Sequence, residues 1–365
     1  MKTRFGADQE KTLRQALKGR RIALIGGAGF IGHNLALALQ ELGAKPQIVD
    51  SLQVNNLGAY SHGLDKNPNA GLYVGFINQR LQLLSQRGIP LHIVDARDYQ
   101  VLSRHLESID PDCVIQLAAV AHANRANKDP YSTFDHSMRT LENALDCVRE
   151  RNAHFIFFSS SMVYGNFNGD AVEEDRVCEP IGIYGALKFA GEKLVIAYNQ
   201  VFGLDYTIVR PSALYGERCV SRRVGQAFIE NAVRGNTVTI NGDGSDALDF
   251  TYIDDLIQGI CLSIGKPEAR NQAFNLTYGD GRSLNDMAEM VRTRFPEIEV
   301  KHHARDSLMP ERGTLSIEKA RSLLGYAPQY PLERGFDAYI DWYCRLASEQ
   351  PDLLGLPAGL RDAAE

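Results

Sequence analysis

Tyr184-Gly185-Ala186-Leu187-Lys188 places a phenol and an ammonium at positions i and i+4, on one face of a helix. Upstream, Ser159-Ser160-Ser161-Met162-Val163-Tyr164-Gly165 closes the apolar run 155–158. A free tyrosine, with a pKa near ~10, is a poor base at neutral pH. A neighbouring ammonium favours its phenolate. A serine hydroxyl beside it relays a proton to a substrate oxygen. Together these groups suit removal of a proton from an alcohol whose carbon also loses hydride. Tyr and Lys at this spacing also arise by chance, as a packed ring and a surface charge, so the weight of the motif rests on what precedes it.

What precedes it is Gly26-Gly27-Ala28-Gly29-Phe30-Ile31-Gly32, directly after the apolar run 21–25 and at the start of a helical pattern that reaches Leu42. Gly26, Gly29 and Gly32 permit a tight turn and a close backbone approach to a diphosphate. The helix start then offers unpaired N–H groups and a positive dipole end to that anion. Asp50 ends the next strand, placed to accept from an adenosine ribose and to repel a 2′-phosphate. The combination predicts NAD rather than NADP. Asp95 follows the run 91–94, within reach of an adenine amino group, although a solvated turn residue reads the same way. Leu117, Ala118 and Ala119 end another strand, where small side chains let a dinucleotide pass.

These residues need a scaffold of strands that end together. Apolar runs at 21–25, 47–50, 91–94, 113–117, 155–158 and 206–209 alternate with helical stretches. That rhythm predicts an α/β fold, a doubly wound parallel sheet of Rossmann type with a smaller C-terminal substrate lobe. The division reads as an N-terminal arm or short amphipathic helix (1–20), a dinucleotide-binding domain (21–210, with return segments from the C-terminal half), a substrate lobe (211–350, with strands at 237–240 and 273–276 and a helix at 284–294) and a frayed tail (351–365). Residues 51–90 read as a local elaboration that begins in turns and ends in a helix at 76–86.

With those motifs in view, residues 20–345 resemble the extended short-chain dehydrogenases/reductases, specifically the NAD-dependent epimerases and dehydratases of nucleotide sugars. The likeness is carried by GGAGFIG, Val49-Asp50, Asp95-Ala96-Arg97-Asp98, LAAVAH, SSSMVYG, YGALK, RPSALYG, NGDGSDALDFTYIDD and ERGTLSIEKARSLLGYAP. The resemblance implies catalysis by Ser160, Tyr184 and Lys188, and a cofactor lining that includes Ala96, Ala121, Tyr184 and Lys188. It also implies substrate contacts from His122, Ser161, Met162, Arg218 and Arg312, with Asn124, Arg125, Arg222 and Arg223 as further candidates. Family members that eliminate water or decarboxylate resemble T-x-E-V-Y-G, with a carboxylate where this chain has Met162. Methionine moves no proton, so the pattern looks more like the 4-epimerases. Three departures stand out. Ala213 and Ser137 occupy family asparagine positions, and Leu248 replaces an arginine that clamps the substrate diphosphate.

The expected activity is therefore epimerisation at C4 of a nucleoside-diphosphate sugar through a transient 4-keto form. A reductase, decarboxylase or dehydratase of the same family is the alternative, and a dinucleotide sensor without turnover a more distant one. Lys+Arg 39 against Asp+Glu 45 argues against nucleic acid or an anionic membrane as partner. No apolar run approaches a membrane span, and the N-terminus lacks a secretory h-region. Six dispersed cysteines with no CxxC pair indicate a reduced, cytoplasmic chain, and no histidine or cysteine spacing suggests a metal. Helices around 137–148 (Leu141, Leu145, Val148) and 184–201 (Leu187, Leu194, Val195, Ala197) carry apolar residues beyond one stripe, and the resemblance implies that they pair across a two-fold axis in a homodimer.

Overall fold

The computed structural model describes residues 4–61, 69–120, 123–305 and 309–355. Strand β1 (Arg21–Ile25) is apolar along nearly its whole length because both faces of its sheet are covered. Parallel to it run β2 (Lys45–Asp50), β3 (Leu91–Ile93), β4 (Cys113–Gln116), β5 (His154–Phe158), β6 (Tyr206–Arg210) and β7 (Gln272–Asn275), in the order β7-β6-β5-β4-β1-β2-β3. The chain winds outward from β1 to β3, then crosses back to β4 on the other side of β1. The crevice beyond the carboxyl ends of β1 and β4 is thus the topological switch point.

Alternation along the strands divides the core into two layers. Ala23, Ile25, Val114, Phe155 and Phe157 face one way, against the helix at Tyr99–Ile109 and helices α4 (Thr140–Val148) and α5 (Gly182–Phe202). Ile22, Leu24, Ile115, Ile156 and Phe158 face the other, toward helices α1 (Ala7–Leu17) and α2 (Phe30–Glu41) and the helix at Ile253–Gly265. The N-terminal segment is a helix that buries Leu13 and Leu17, and Arg4 pairs with Asp254 at 2.7 Å.

Three placements differ from sequence expectation. Helix α3 (Ala70–Gln86) begins six residues before the pattern at 76–86, because Ala70, Leu72 and Tyr73 are buried as well. Leu141, Leu145 and Val148 are wholly committed to the core under α4, and so is Val195 under α5, leaving them no part in an outer face. Finally, the run near 273–276 pairs with β6 (Phe274 opposite Val209) and forms the edge of the central sheet. The remaining C-terminal elements stand beside the sheet. They include α6 (Val224–Val233), a strand at Val238–Asn241 paired with Val300–His303, a short ladder between Ala247–Asp249 and Gly281–Ser283, and helices at Leu284–Arg294 and Leu332–Glu349. Ser283 and Asp286 form a reciprocal capping box that starts the helix at 284. Among the described residues no helix is long and apolar enough to cross a membrane, and no three His, Cys, Asp or Glu side chains gather as a metal would need. The last ten residues of the expected tail lie outside the described residues.

Candidate active site

The turn after β1 takes its shape from two glycines that nothing else can replace. Gly26 has φ +80°, and a Cβ there would stand 2.5 Å from the Ala118 backbone nitrogen. A Cβ on Gly32 would strike the backbone of Gly27. Gly29 caps α2 without a side-chain acceptor, so the first-turn N–H groups remain open to a ligand. Asp50, at the end of β2, accepts from Ala28 N at 2.9 Å and Leu52 N at 2.7 Å. Burial pushes its carboxyl up and these two N–H groups pull it back down. Each carboxylate oxygen keeps a further lone pair for a ribose hydroxyl.

One cleft runs over the switch point. Gly26, Gly29, Phe30, Ile31 and Gly32 line it, and so do Asp50, Asp95, Ala96, Leu117, Ala118 and Ala119. The structure thus brings together every predicted cofactor residue of this group. Asp95 is already engaged: Arg97 donates to it from Nε at 3.0 Å and Nη2 at 2.6 Å, holding its carboxyl below the usual range. Ala121 and His122 lie outside the described residues. The cleft also has walls that sequence reasoning missed, including Arg80, His136 and Thr140. His136 sits in a π-helical turn, Asp135–Arg139, which no residue pattern announces. In the same turn Ser137 accepts from Val120 N at 3.3 Å, so the serine at a family asparagine position ties down the end of the β4 loop.

The residues expected to handle protons gather beyond the end of β5. Ser160 caps a short 3₁₀ turn, Ser161–Tyr164, and its hydroxyl accepts from Met162 N at 3.2 Å. The same hydroxyl acts on the phenol of Tyr184, drawing its pKa down. Helix α5 approaches this turn closely because Gly185 has no Cβ, which would lie 2.8 Å from the Met162 carbonyl oxygen. Burial pushes the Tyr184 phenol up, while Arg223, the Ser160 hydroxyl and Arg312 pull it down. Lys188 is buried and donates from Nζ to the Phe158 carbonyl at 2.6 Å, with Nζ 6.0 Å from the centre of the Tyr184 ring. Burial pushes this ammonium down to about 8, opposed by Glu192. The sequence suggests Lys188 as the cation that favours the phenolate. In the structure two arginines act on the phenol, and the lysine tip ends on a carbonyl.

One turn beyond Lys188, Glu192 receives Arg210 Nε at 2.9 Å, Arg210 Nη2 at 2.7 Å and the Ser159 hydroxyl. Ser161 and Met162 are buried behind Ser160. Arg312 stands near Tyr184 and Arg223, with a buried Nε that has no hydrogen-bond partner among the described residues. Burial and Arg223 push its guanidinium down to about 10, so it remains charged at neutral pH. Arg223 precedes α6 and lines the cleft. Arg218 instead lies against His33, Nε to Nε2 at 3.4 Å, and is not part of the cleft lining. Arg222 pairs with Glu230 at 3.4 Å. Leu248 is packed into the core opposite Arg282, whose guanidinium is held by Glu333 and Asp286. Ala213 adopts φ +33°, a conformation that Gly or Asn accepts more readily.

A Gly-rich turn at a switch point, an acid at the end of the second strand and a Ser/Tyr/Lys set define a dinucleotide-dependent enzyme of the short-chain dehydrogenase/reductase type. The model of the NAD dependent epimerase/dehydratase family matches residues 22–277, and the chain belongs to that family. It is 28% identical over 367 residues to UDP-glucuronate 4-epimerase 1 of Arabidopsis thaliana, covering 93% of this chain and 81% of that protein. A UDP-glucuronic acid 4-epimerase from Bacillus cereus, solved with UDP-glucuronic acid and NAD, superposes with a TM-score of 0.79 at 25% identity, over 89% of this chain and 99% of that one. The UDP-glucose 4-epimerase of Thermus thermophilus, solved with NAD, shares the fold with a TM-score of 0.74 at 24% identity, over 88% and 98% of the two chains. The family is NAD-dependent, and the side-chain-free cradle at Gly26 and Gly32 fits that cofactor.

Proposed function

We propose that the chain epimerises a nucleoside-diphosphate sugar at C4. The observation that carries this reading is the Tyr184 phenol under the influence of the Ser160 hydroxyl, with Lys188 Nζ 6.0 Å from its ring centre and Met162 where a dehydratase would hold its carboxylate. Tyr184 accepts the C4 hydroxyl proton directly or through Ser160. The two guanidiniums near the phenol, Arg223 and Arg312, favour the phenolate this requires. NAD, when bound, supplies the chemistry of taking hydride from C4 and giving it back. Lys188 would hold the nicotinamide ribose. The 4-keto sugar then turns to present its other face, and Tyr184 returns the proton. Arg312 and Arg223 offer bidentate contacts to the substrate diphosphate in place of the arginine lost at Leu248.

Several readings go with this one. We assign residues 21–210 and β7 to the cofactor domain and the rest of 211–350 to the sugar-nucleotide lobe. The similarity to UDP-glucuronate 4-epimerases favours a UDP-sugar as substrate. Six free cysteines among the described residues suit a reducing cytoplasm. A homodimer is supported by Val201 and Phe202 of α5 and by Tyr131 and Phe134, all exposed. The catalytic test is Tyr184→Phe, which removes only the proton-accepting oxygen. It is expected to lower turnover by about 10³–10⁴-fold while NAD binding persists, since loss of a principal general base falls at the upper end of its usual range. Turnover close to that of the parent, with NAD still bound, would sink the mechanism.

A further inference from the structure

The segment 51–90 carries a group that neither the fold nor the proton chemistry explains. Arg80 of α3 is fully buried, yet it lines the cofactor cleft with Gly29, Phe30 and Asp50. Nε donates to the Arg218 carbonyl at 2.9 Å, and Nη2 donates to the same oxygen. Arg218 holds that carbonyl in a left-handed backbone conformation, φ +62°. Two N–H groups on one acceptor fix the plane of the guanidinium. Nη1 has no hydrogen-bond partner among the described residues.

The charge of Arg80 is no better matched than its third nitrogen. No carboxylate forms an ion pair with Arg80 among the described residues. Asp50 is the acid that acts on it electrostatically, but that carboxylate already serves the Ala28 and Leu52 N–H groups. Arg218 adds a second cation nearby. A buried, unpaired guanidinium is expensive to fold around unless something anionic arrives to meet it.

We propose that Arg80 anchors the diphosphate bridge of the dinucleotide, together with the open N–H groups of α2. This rests on the NAD reading and deepens it. An arginine offers only donors and positive charge. The adenine and both ribose groups of NAD are neutral, and its nicotinamide ring is itself positive. The diphosphate alone matches Arg80 in charge and in acceptors. A 2′-phosphate has the same chemistry, but it would have to sit against Asp50. The substrate diphosphate is the third possible source, and the test separates all three.

Calorimetric titration of the cofactor-free protein with NAD, ADP, adenosine, NADP and UDP provides that test, on the parent, Arg80→Met and Arg80→Lys. Arg80→Met is expected to weaken NAD and ADP by about 10–100-fold, the size of a lost charge-assisted hydrogen bond to phosphate, with adenosine and UDP little changed. Arg80→Lys, which keeps the charge without the fork, should fall between. The ratio of ADP to adenosine affinity is taken within each variant, so partial loss of folded protein cancels. An unchanged ratio in Arg80→Met overturns the proposal. So does a loss confined to NADP or to UDP, which would assign the arginine to a 2′-phosphate or to the substrate. If the parent binds neither NAD nor ADP, the cofactor reading itself fails, and this inference with it.

Discussion

Replacing Glu192 by Gln changes one heavy atom and tests the buried ion pair one turn beyond Lys188. The Glu192–Arg210 pair is buried on both sides, with side chains 2% and 7% exposed. Arg210 spends Nε and Nη2 on the two carboxylate oxygens, and Nη1 on Tyr164 Oη at 2.8 Å and the Glu174 carbonyl at 2.9 Å. An amide in place of the carboxylate keeps the shape. It turns one acceptor into a donor that must face either Arg210 Nη2 or the Ser159 hydroxyl with Arg210 Nε. It also leaves the guanidinium charge buried without its partner. Breaking a buried pair from one side costs about 3–5 kcal/mol, whereas exposed pairs cost ~0–1. Urea unfolding measures this, followed by circular dichroism and by the fluorescence of the chain's one tryptophan, Trp342, which packs against Phe76 and Tyr339 away from the pair. The double variant Glu192→Met/Arg210→Met should lose less than the sum of its singles, because it removes both charges together. A loss below about 1 kcal/mol for Glu192→Gln would show that the pair is not held as described.

Two further predictions concern pH and assembly. Burial pushes the Asp255 carboxyl from 3.8 up to about 7, despite N–H groups from Gln329 and Tyr330. The folded state therefore favours its protonated form, and this group's stabilising contribution is full below 3.8 and lost as pH rises through 7. Asp255→Asn should accordingly show a shallower fall in stability than the parent between pH 4 and 7, read from urea midpoints, and parallel curves would contradict it. Light scattering at micromolar concentration should return twice the chain mass, and a monomer there would remove the dimer reading of α5.

The parts of this site written in local sequence are those that backbone geometry demands. Gly26 and Gly32 are legible because a Cβ cannot exist there, and Tyr184 and Lys188 because one helix face aligns them. Strand β1 matches its apolar run residue for residue, and the helix at 284–294 is signalled by its Ser/Asp cap. Arg80 is hidden, since a lone arginine among the apolar residues of this helix reads as solvated until the helix is seen to close over the cleft. The edge strand β7 is hidden for a similar reason: its four residues carry no mark of which sheet they join. Lys188 is legible as a residue but not as a contact, because only the fold brings the Phe158 carbonyl to its tip. Leu141, Leu145 and Val148 mislead in the opposite direction, since a helix packed firmly on a sheet shows the same apolar stripe as one packed on a partner.

The central claim, inversion at C4 without loss of hydride from the enzyme, is tested most directly by one incubation. Purified protein without added cofactor is mixed with a panel of UDP-, dTDP-, GDP- and CDP-sugars, and the products are followed by proton NMR. The account predicts that at least one sugar is converted to a mixture with its C4 epimer, with no 4-keto product accumulating and no requirement for added NAD. A 4-keto-6-deoxy sugar, a decarboxylated sugar, or no change in any member of the panel would contradict it.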